Sequence, residues 1–133
     1  MQINSWNCRG LGNPLKDEAV KYLLKMNPTD MLLLQETKIE DEALLSISRT
    51  KWNKNTRIVA SARGTSGGLD TLWSEENFLL QSSHSTHHWI FSELQHLLSK
   101  TTISLFNLYV PVNYLEKRIC WQTLSLFLEN HDL

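Results

Sequence analysis

A carboxamide, a carboxylate and a phenol stand at three places where an apolar stretch gives way to a loop. They are Asn7 in Ser5-Trp6-Asn7-Cys8-Arg9-Gly10-Leu11-Gly12, Glu36 in Leu34-Gln35-Glu36-Thr37-Lys38, and Tyr109 in Asn107-Leu108-Tyr109-Val110-Pro111. Between the last two, Ser66-Gly67-Gly68-Leu69 leads into another apolar stretch. Open α/β sheets hold their ligands at the loops that follow strands, so polar side chains at three such places could share one site. Taken singly, each has a plainer reading. A lone Glu at a strand end is usually solvated, an Asn there caps a turn, and a Tyr before Val-Pro is a half-buried strand end. Their joint order in the chain is what argues for chemistry.

The elements that must position them alternate between strand and helix. Residues 2–7 read as a short strand, and Asn13-Pro14 supplies an N-cap with proline at the first helical position. Leu15, Ala19, Tyr22, Leu23 and Met26 recur on one helical face, and Asn27-Pro28 closes that helix. The unbroken apolar run 31–34 fits a strand buried on both faces and is too short for a helix. A short amphipathic helix is expected over 41–49. Strands are expected over 57–61, 68–73, 78–81, 89–94 and 103–109, separated by Gly, Ser, Asn and Lys-Thr turn signals. Asn113 with Glu116 resembles a capping box, opening a helix over 114–128 with Leu115, Ile119, Leu126 and Phe127 as core candidates. This order predicts an α/β layered domain, a sheet packed under helices.

Composition narrows the function classes. The 133 residues hold 41% apolar and 20% charged side chains, the profile of one globular domain. A net charge of −1 argues against a broad basic surface for nucleic acid, although a local cluster at a catalytic contact remains compatible. Cys8 and Cys120 lie far apart and are expected to be reduced thiols. The start Met-Gln-Ile-Asn-Ser-Trp lacks the basic and apolar parts of a signal peptide. No apolar run approaches the roughly 20 residues that span a bilayer, so a soluble intracellular protein is expected. His84, His87 and His88 cluster locally, but adjacent residues of a strand point to opposite faces and no Cys or carboxylate lies close in sequence. A polar hairpin turn is expected there rather than a zinc site. The tryptophans, Trp52, Trp73, Trp89 and Trp121 among them, are expected in the core.

Taken in order, Trp-Asn-Cys-Arg-Gly-Leu-Gly, Leu-Leu-Gln-Glu-Thr-Lys, Ser-Gly-Gly-Leu and Asn-Leu-Tyr-Val-Pro resemble the endonuclease/exonuclease/phosphatase superfamily with its DNase I-like fold. The likeness covers essentially the whole chain and is strongest to the apurinic-endonuclease-like domain of plant LINE-type (non-LTR) retrotransposons. It implies a partial four-layer α/β sandwich, mainly the first sheet with its flanking helices, and Mg²⁺- or Mn²⁺-dependent hydrolysis of phosphodiesters in DNA. On this resemblance Glu36 and Asn7 would be metal ligands, a donor set that suits a hard cation. Tyr109 would stabilise charge developing on the scissile phosphate. Gln35, Lys38 and Asn113 would support Glu36 or contact the phosphate backbone.

The resemblance also implies groups that these residues do not encode. Family members add an Asp-x-Asn segment that positions the attacking water and a Ser-Asp-His segment that supplies the general base, whereas the last residues here read Asn130-His131-Asp132-Leu133. The expectation is a truncated, retrotransposon-derived nuclease domain with little or no activity. The alternatives are a nuclease completed by a partner chain and a non-catalytic nucleic-acid or protein interaction module. Two further expectations follow, one from the missing half and one from the resemblance at a single position. The first sheet would expose an apolar face open to self-association. Asp70, where the resemblance leads to a small apolar residue, would be a costly carboxylate on a central strand unless paired.

Overall fold

A computed structural model describes residues 1–11, 13–38, 46–52, 56–58 and 68–131; of 56–58 only the backbone is described. Chain order is β1 (Ile3–Asn7), α1 (Pro14–Met26), β2 (Met31–Gln35), β3 (Thr56–Ile58), β4 (Leu69–Ser74), β5 (Phe78–Ser85), β6 (Trp89–His96), β7 (Thr102–Leu108) and α2 (Tyr114–Asn130). A helical turn at 46–48 is the described part of the helix expected over 41–49; 39–45 and 59–67 lie outside the described residues. Both long helices start as the sequence requires. The Asn13 side chain accepts from the Leu15 amide at 2.9 Å, and the Asn113 side chain accepts from the Glu116 amide at 3.1 Å.

Two sheets result. The first has the order β1-β2-β4-β3, with β1 parallel to β2 and the other pairs antiparallel. The second is the antiparallel meander β5-β6-β7. Side-chain alternation on β2 and β4 divides the interior. Leu32, Leu34 and Leu72 meet Val20 and Leu24 of α1 and Ile47. Met31, Leu69 and Trp73 point the other way and meet Phe78, Ile90 and Leu94 of the second sheet. Trp89 and Phe91 on its far face pack against Cys120 and Phe127 of α2, and the Trp89 indole donates to the Thr123 hydroxyl at 3.2 Å. The layers therefore run helix, sheet, sheet, helix. This is the expected α/β sandwich, and the chain holds three strands of the second sheet as well as the first.

That packing corrects several expectations. The inner apolar face of the first sheet is covered by β5, β6 and β7 and is not open for self-association. On α1 the buried stripe is Val20 and Leu24, while Leu15, Tyr22, Leu23 and Met26 are exposed. On α2 it is Cys120 and Phe127, with Leu115, Ile119 and Leu126 exposed. Both helices carry apolar residues round more than half their circumference, so periodicity identifies a helix without deciding which arc meets the sheet. Trp73 and Trp89 are core residues and Trp121 is not. His87 and His88 sit in the bend joining β5 to β6, as a hairpin turn, and His84 lies against Trp89 and Phe127 at 5.5 Å. Among the described residues no helix is long and apolar enough to cross a membrane.

Leu24 is fully buried and Leu15 is 81% exposed on the same helix, so the two separate the arcs. Leu24→Ala should lower unfolding stability by about 2–5 kcal/mol. Leu15→Ala should change it by less than about 0.5 kcal/mol, both read from urea denaturation midpoints.

Candidate functional site

The candidate site lies where β1, β2 and β7 end. Because β1 and β2 are parallel and in register, Asn7 lies beside Gln35 and both chains leave the sheet at the same edge. The two departing loops are then tied together. Cys8 donates to the Gln35 carbonyl at 2.9 Å, Gly10 to that of Glu36 at 2.6 Å and Leu11 to that of Thr37 at 2.7 Å. The Thr37 amide reaches the Gly68 carbonyl at 3.2 Å, joining the start of β4. Holding this geometry puts three non-glycine residues in the left-handed region: Arg9 at φ 50°, Glu36 at 53° and Lys38 at 54°. Gly10 at φ 89° takes a conformation that side chains rarely tolerate. Non-glycine residues with positive φ are uncommon, and three in one pair of loops mark a place where the surroundings dictate the backbone.

Glu36 and Tyr109 meet across the two sheets. The Tyr109 hydroxyl donates to Glu36 Oε1 at 3.0 Å, with both side chains half-buried. Its phenol pKa is raised above the ordinary value, first by this hydrogen bond, then by burial and the Glu36 charge; nearby Arg9 offsets part of the rise. Asn7 is exposed, and its side-chain oxygen accepts from the Arg9 amide at 3.0 Å, so it caps the loop as well as facing the site edge. Lys38 is exposed and its stem passes over Gly10. Of the two roles expected of Gln35, one fits its place: it is 8% exposed and its amide nitrogen donates inward to Ser5 Oγ and Asn107 Oδ1, both at 2.9 Å. Such a side chain supports the neighbouring Glu36 and does not fit a phosphate contact. Asn113 is placed as the N-cap of α2.

Sequence reasoning missed two contributors, Asn107 and Arg9, and flagged a third, Asp70, without its partner. Asn107 is 1% exposed and binds both sheets. Arg9 brings a cation near Tyr109; its place two residues after Asn7 in the first motif was the available signal. Asp70 is fully buried but not bare, since Thr37 Oγ1 donates to its carboxylate at 2.8 Å. The expected cost of that carboxylate is therefore offset by pairing.

The donor set limits which divalent cation could bind. Among the described residues no three His, Cys, Asp or Glu side chains converge. Glu36 contributes a carboxylate, and the Asn7 oxygen keeps a second lone pair beyond the one used by Arg9. One carboxylate and one amide oxygen suit Mg²⁺, which retains several waters and takes few protein ligands. They do not suit zinc, which calls for nitrogen or sulfur.

This arrangement of layers is the DNase I-like fold, and solved structures share it. The chain aligns with a mannosyl-6-phosphatase from Bacteroides thetaiotaomicron at a TM-score of 0.67 and 12% identity, covering 95% of this chain and 59% of that one. An endonuclease/exonuclease/phosphatase family protein from the same organism aligns with TM-score 0.67 and 10% identity over 95% and 57% of the two chains. An AP endonuclease from Leishmania major gives 0.55 and 20% over 92% and 44%. The chain thus spans a little over half the length of the first two. No family model and no curated protein matches the sequence.

Cys8 gives a direct check of the loop packing. Burial, and next the charge of Asp70, push its thiol up to about 12. Alkylation by iodoacetamide at pH 8 should run roughly a thousandfold slower than for a free cysteine, because only the thiolate reacts. For Tyr109 the sign is opposite to that of a freed phenol: Glu36→Gln removes the negative acceptor, so the raised titration should fall back toward the ordinary range in an ultraviolet absorbance titration.

Proposed function

We propose that the chain carries the metal-binding part of a phosphodiesterase site of the endonuclease/exonuclease/phosphatase kind, derived from a LINE-type retrotransposon endonuclease domain, with DNA as the substrate class. The observation that carries this reading is the 3.0 Å contact between Tyr109 and Glu36, formed by strand ends of two different sheets. The DNase I-like fold supports it, as does the motif Trp6-Asn7-Cys8-Arg9-Gly10-Leu11.

In this reading Glu36 and Asn7 hold Mg²⁺ or Mn²⁺, which supplies Lewis-acid polarisation of a phosphoryl oxygen. With substrate bound, Tyr109 would turn its one hydroxyl proton from Glu36 to a phosphate oxygen, where a donor stabilises the charge that grows in the transition state. Arg9 and Lys38 add exposed positive charge at the rim for the flanking phosphates. Gln35 and Asn113 act through the backbone, by bracing the end of β2 and capping α2.

Water activation is the weak link. No carboxylate–histidine pair is placed beside Glu36 among the described residues, and positioning and general-base help are each worth about 10² or more in rate. By itself this chain should hydrolyse DNA slowly or not at all, while retaining its cation affinity.

Incubation of the purified chain with supercoiled and abasic-site DNA tests this, with Mg²⁺, with EDTA, and with Glu36→Ala. Nicking at or below about one ten-thousandth of a complete enzyme is expected, from the two missing contributions multiplied. Rapid nicking that EDTA and Glu36→Ala both abolish would overturn the impaired reading. Salt-sensitive DNA binding that survives Glu36→Ala without nicking would favour an interaction module instead.

A further inference from the structure

The buried amide of Asn107 does more than fill space between the sheets. From β7 its nitrogen donates to the Asp70 carbonyl at 3.0 Å, the Leu34 carbonyl at 3.3 Å and Thr71 Oγ1 at 3.4 Å. Its oxygen accepts from Gln35 at 2.9 Å, and Gln35 reaches on to Ser5 of β1. One side chain therefore touches β2 and β4 directly and β1 through one intermediary. It lies two residues before Tyr109, and its partners Leu34 and Gln35 lie immediately before Glu36.

We propose that Asn107 is the positioning residue of this site: it fixes the end of β7 over the end of β2, and so sets the Glu36–Tyr109 contact and holds Glu36 in its left-handed conformation. The inference rests on reading Glu36 and Tyr109 as the site. Three physical points support it. A left-handed non-glycine residue is strained and persists only where its surroundings fix it. Glu36 is such a residue, and the chain just before it is gripped from a second sheet. Apolar packing between the sheets, in the cluster that holds Met31 and Ile90, is non-directional and permits sliding. A carboxamide bonded to two backbone carbonyls and one side-chain amide does not, because a shift of about 1 Å breaks these bonds. In a buried setting an amide stripped of its partners is costly, so the network favours one register strongly.

Amide hydrogen exchange on the whole chain, read residue by residue, separates positioning from general stability. In Asn107→Leu the Gly10, Leu11 and Thr37 amides, whose acceptors are Glu36, Thr37 and Gly68, should exchange about tenfold faster or more. The β5–β6 ladder should change little. Asn107→Asp keeps the size and the acceptor but loses the donor, and should loosen the same three amides. Mn²⁺ affinity, read by electron paramagnetic resonance, should fall in both variants. Unchanged exchange at the three amides would overturn the proposal, as would loosening in Asn107→Leu alone, which would mean packing rather than hydrogen bonding. If both variants unfold, Gln35→Met breaks the joint from β2, and the same local loosening is required of it. Loosened amides in a chain that never binds Mn²⁺ would count against the proposed function and leave Asn107 as the brace.

Discussion

The contact of β7 with β2 and β4 is the constraint on which the rest of the molecule depends. Glu36 and Tyr109 are 73 positions apart and belong to different sheets, so no local preference brings them together. Apolar burial supplies the attraction between the sheets, through Met31, Leu69, Trp73, Phe78, Ile90 and Leu94. It leaves their relative placement loose. The polar network around Asn107 removes that freedom, and the site lies at the end of the network. An interior that were apolar throughout would bind the sheets as firmly and position the two side chains less well.

The electrostatics of the site follow from the same closeness. A carboxylate that accepts from a phenol holds the phenol protonated, and the loops behind it bury Cys8 beside Asp70, so its thiol is held protonated too. Asp70 sits in the interior because Thr37 meets it, and Thr37 is itself anchored by the amide of Leu11 and the carbonyl of Gly68. Strained backbone, a buried carboxylate and a raised phenol thus occur within a few residues of one another. That combination is more typical of a site than of a plain core.

Much of this was legible in the sequence, for identifiable reasons. The run 31–34 announced a doubly buried strand, and Asn13-Pro14 and Asn113 announced helix starts, because these signals are local. The candidate residues Asn7, Glu36 and Tyr109 were picked out by the order of short motifs, and Glu36 and Tyr109 do meet. What was not legible depends on tertiary placement. The arcs of α1 and α2 that meet the sheets could not be read from helices apolar over wide arcs, and Leu15 and Leu115 proved exposed where Val20 and Cys120 are buried. Gln35 was left between supporting Glu36 and contacting phosphate, because a sequence does not say which face of a strand end meets a second sheet. Asn107 stood in a quoted motif, yet its role required knowing that β7 crosses β2.

The central claim is that three strand ends converge on one site for a hard cation. The most direct measurement is paramagnetic broadening of the chain's backbone amide resonances during titration with Mn²⁺. The account predicts that Asn7 to Gly10, Glu36 and Tyr109 broaden first and together, and that excess Mg²⁺ restores them. Broadening that begins at His84, His87 and His88 or on scattered surface carboxylates, with Glu36 and Tyr109 unaffected, would contradict it.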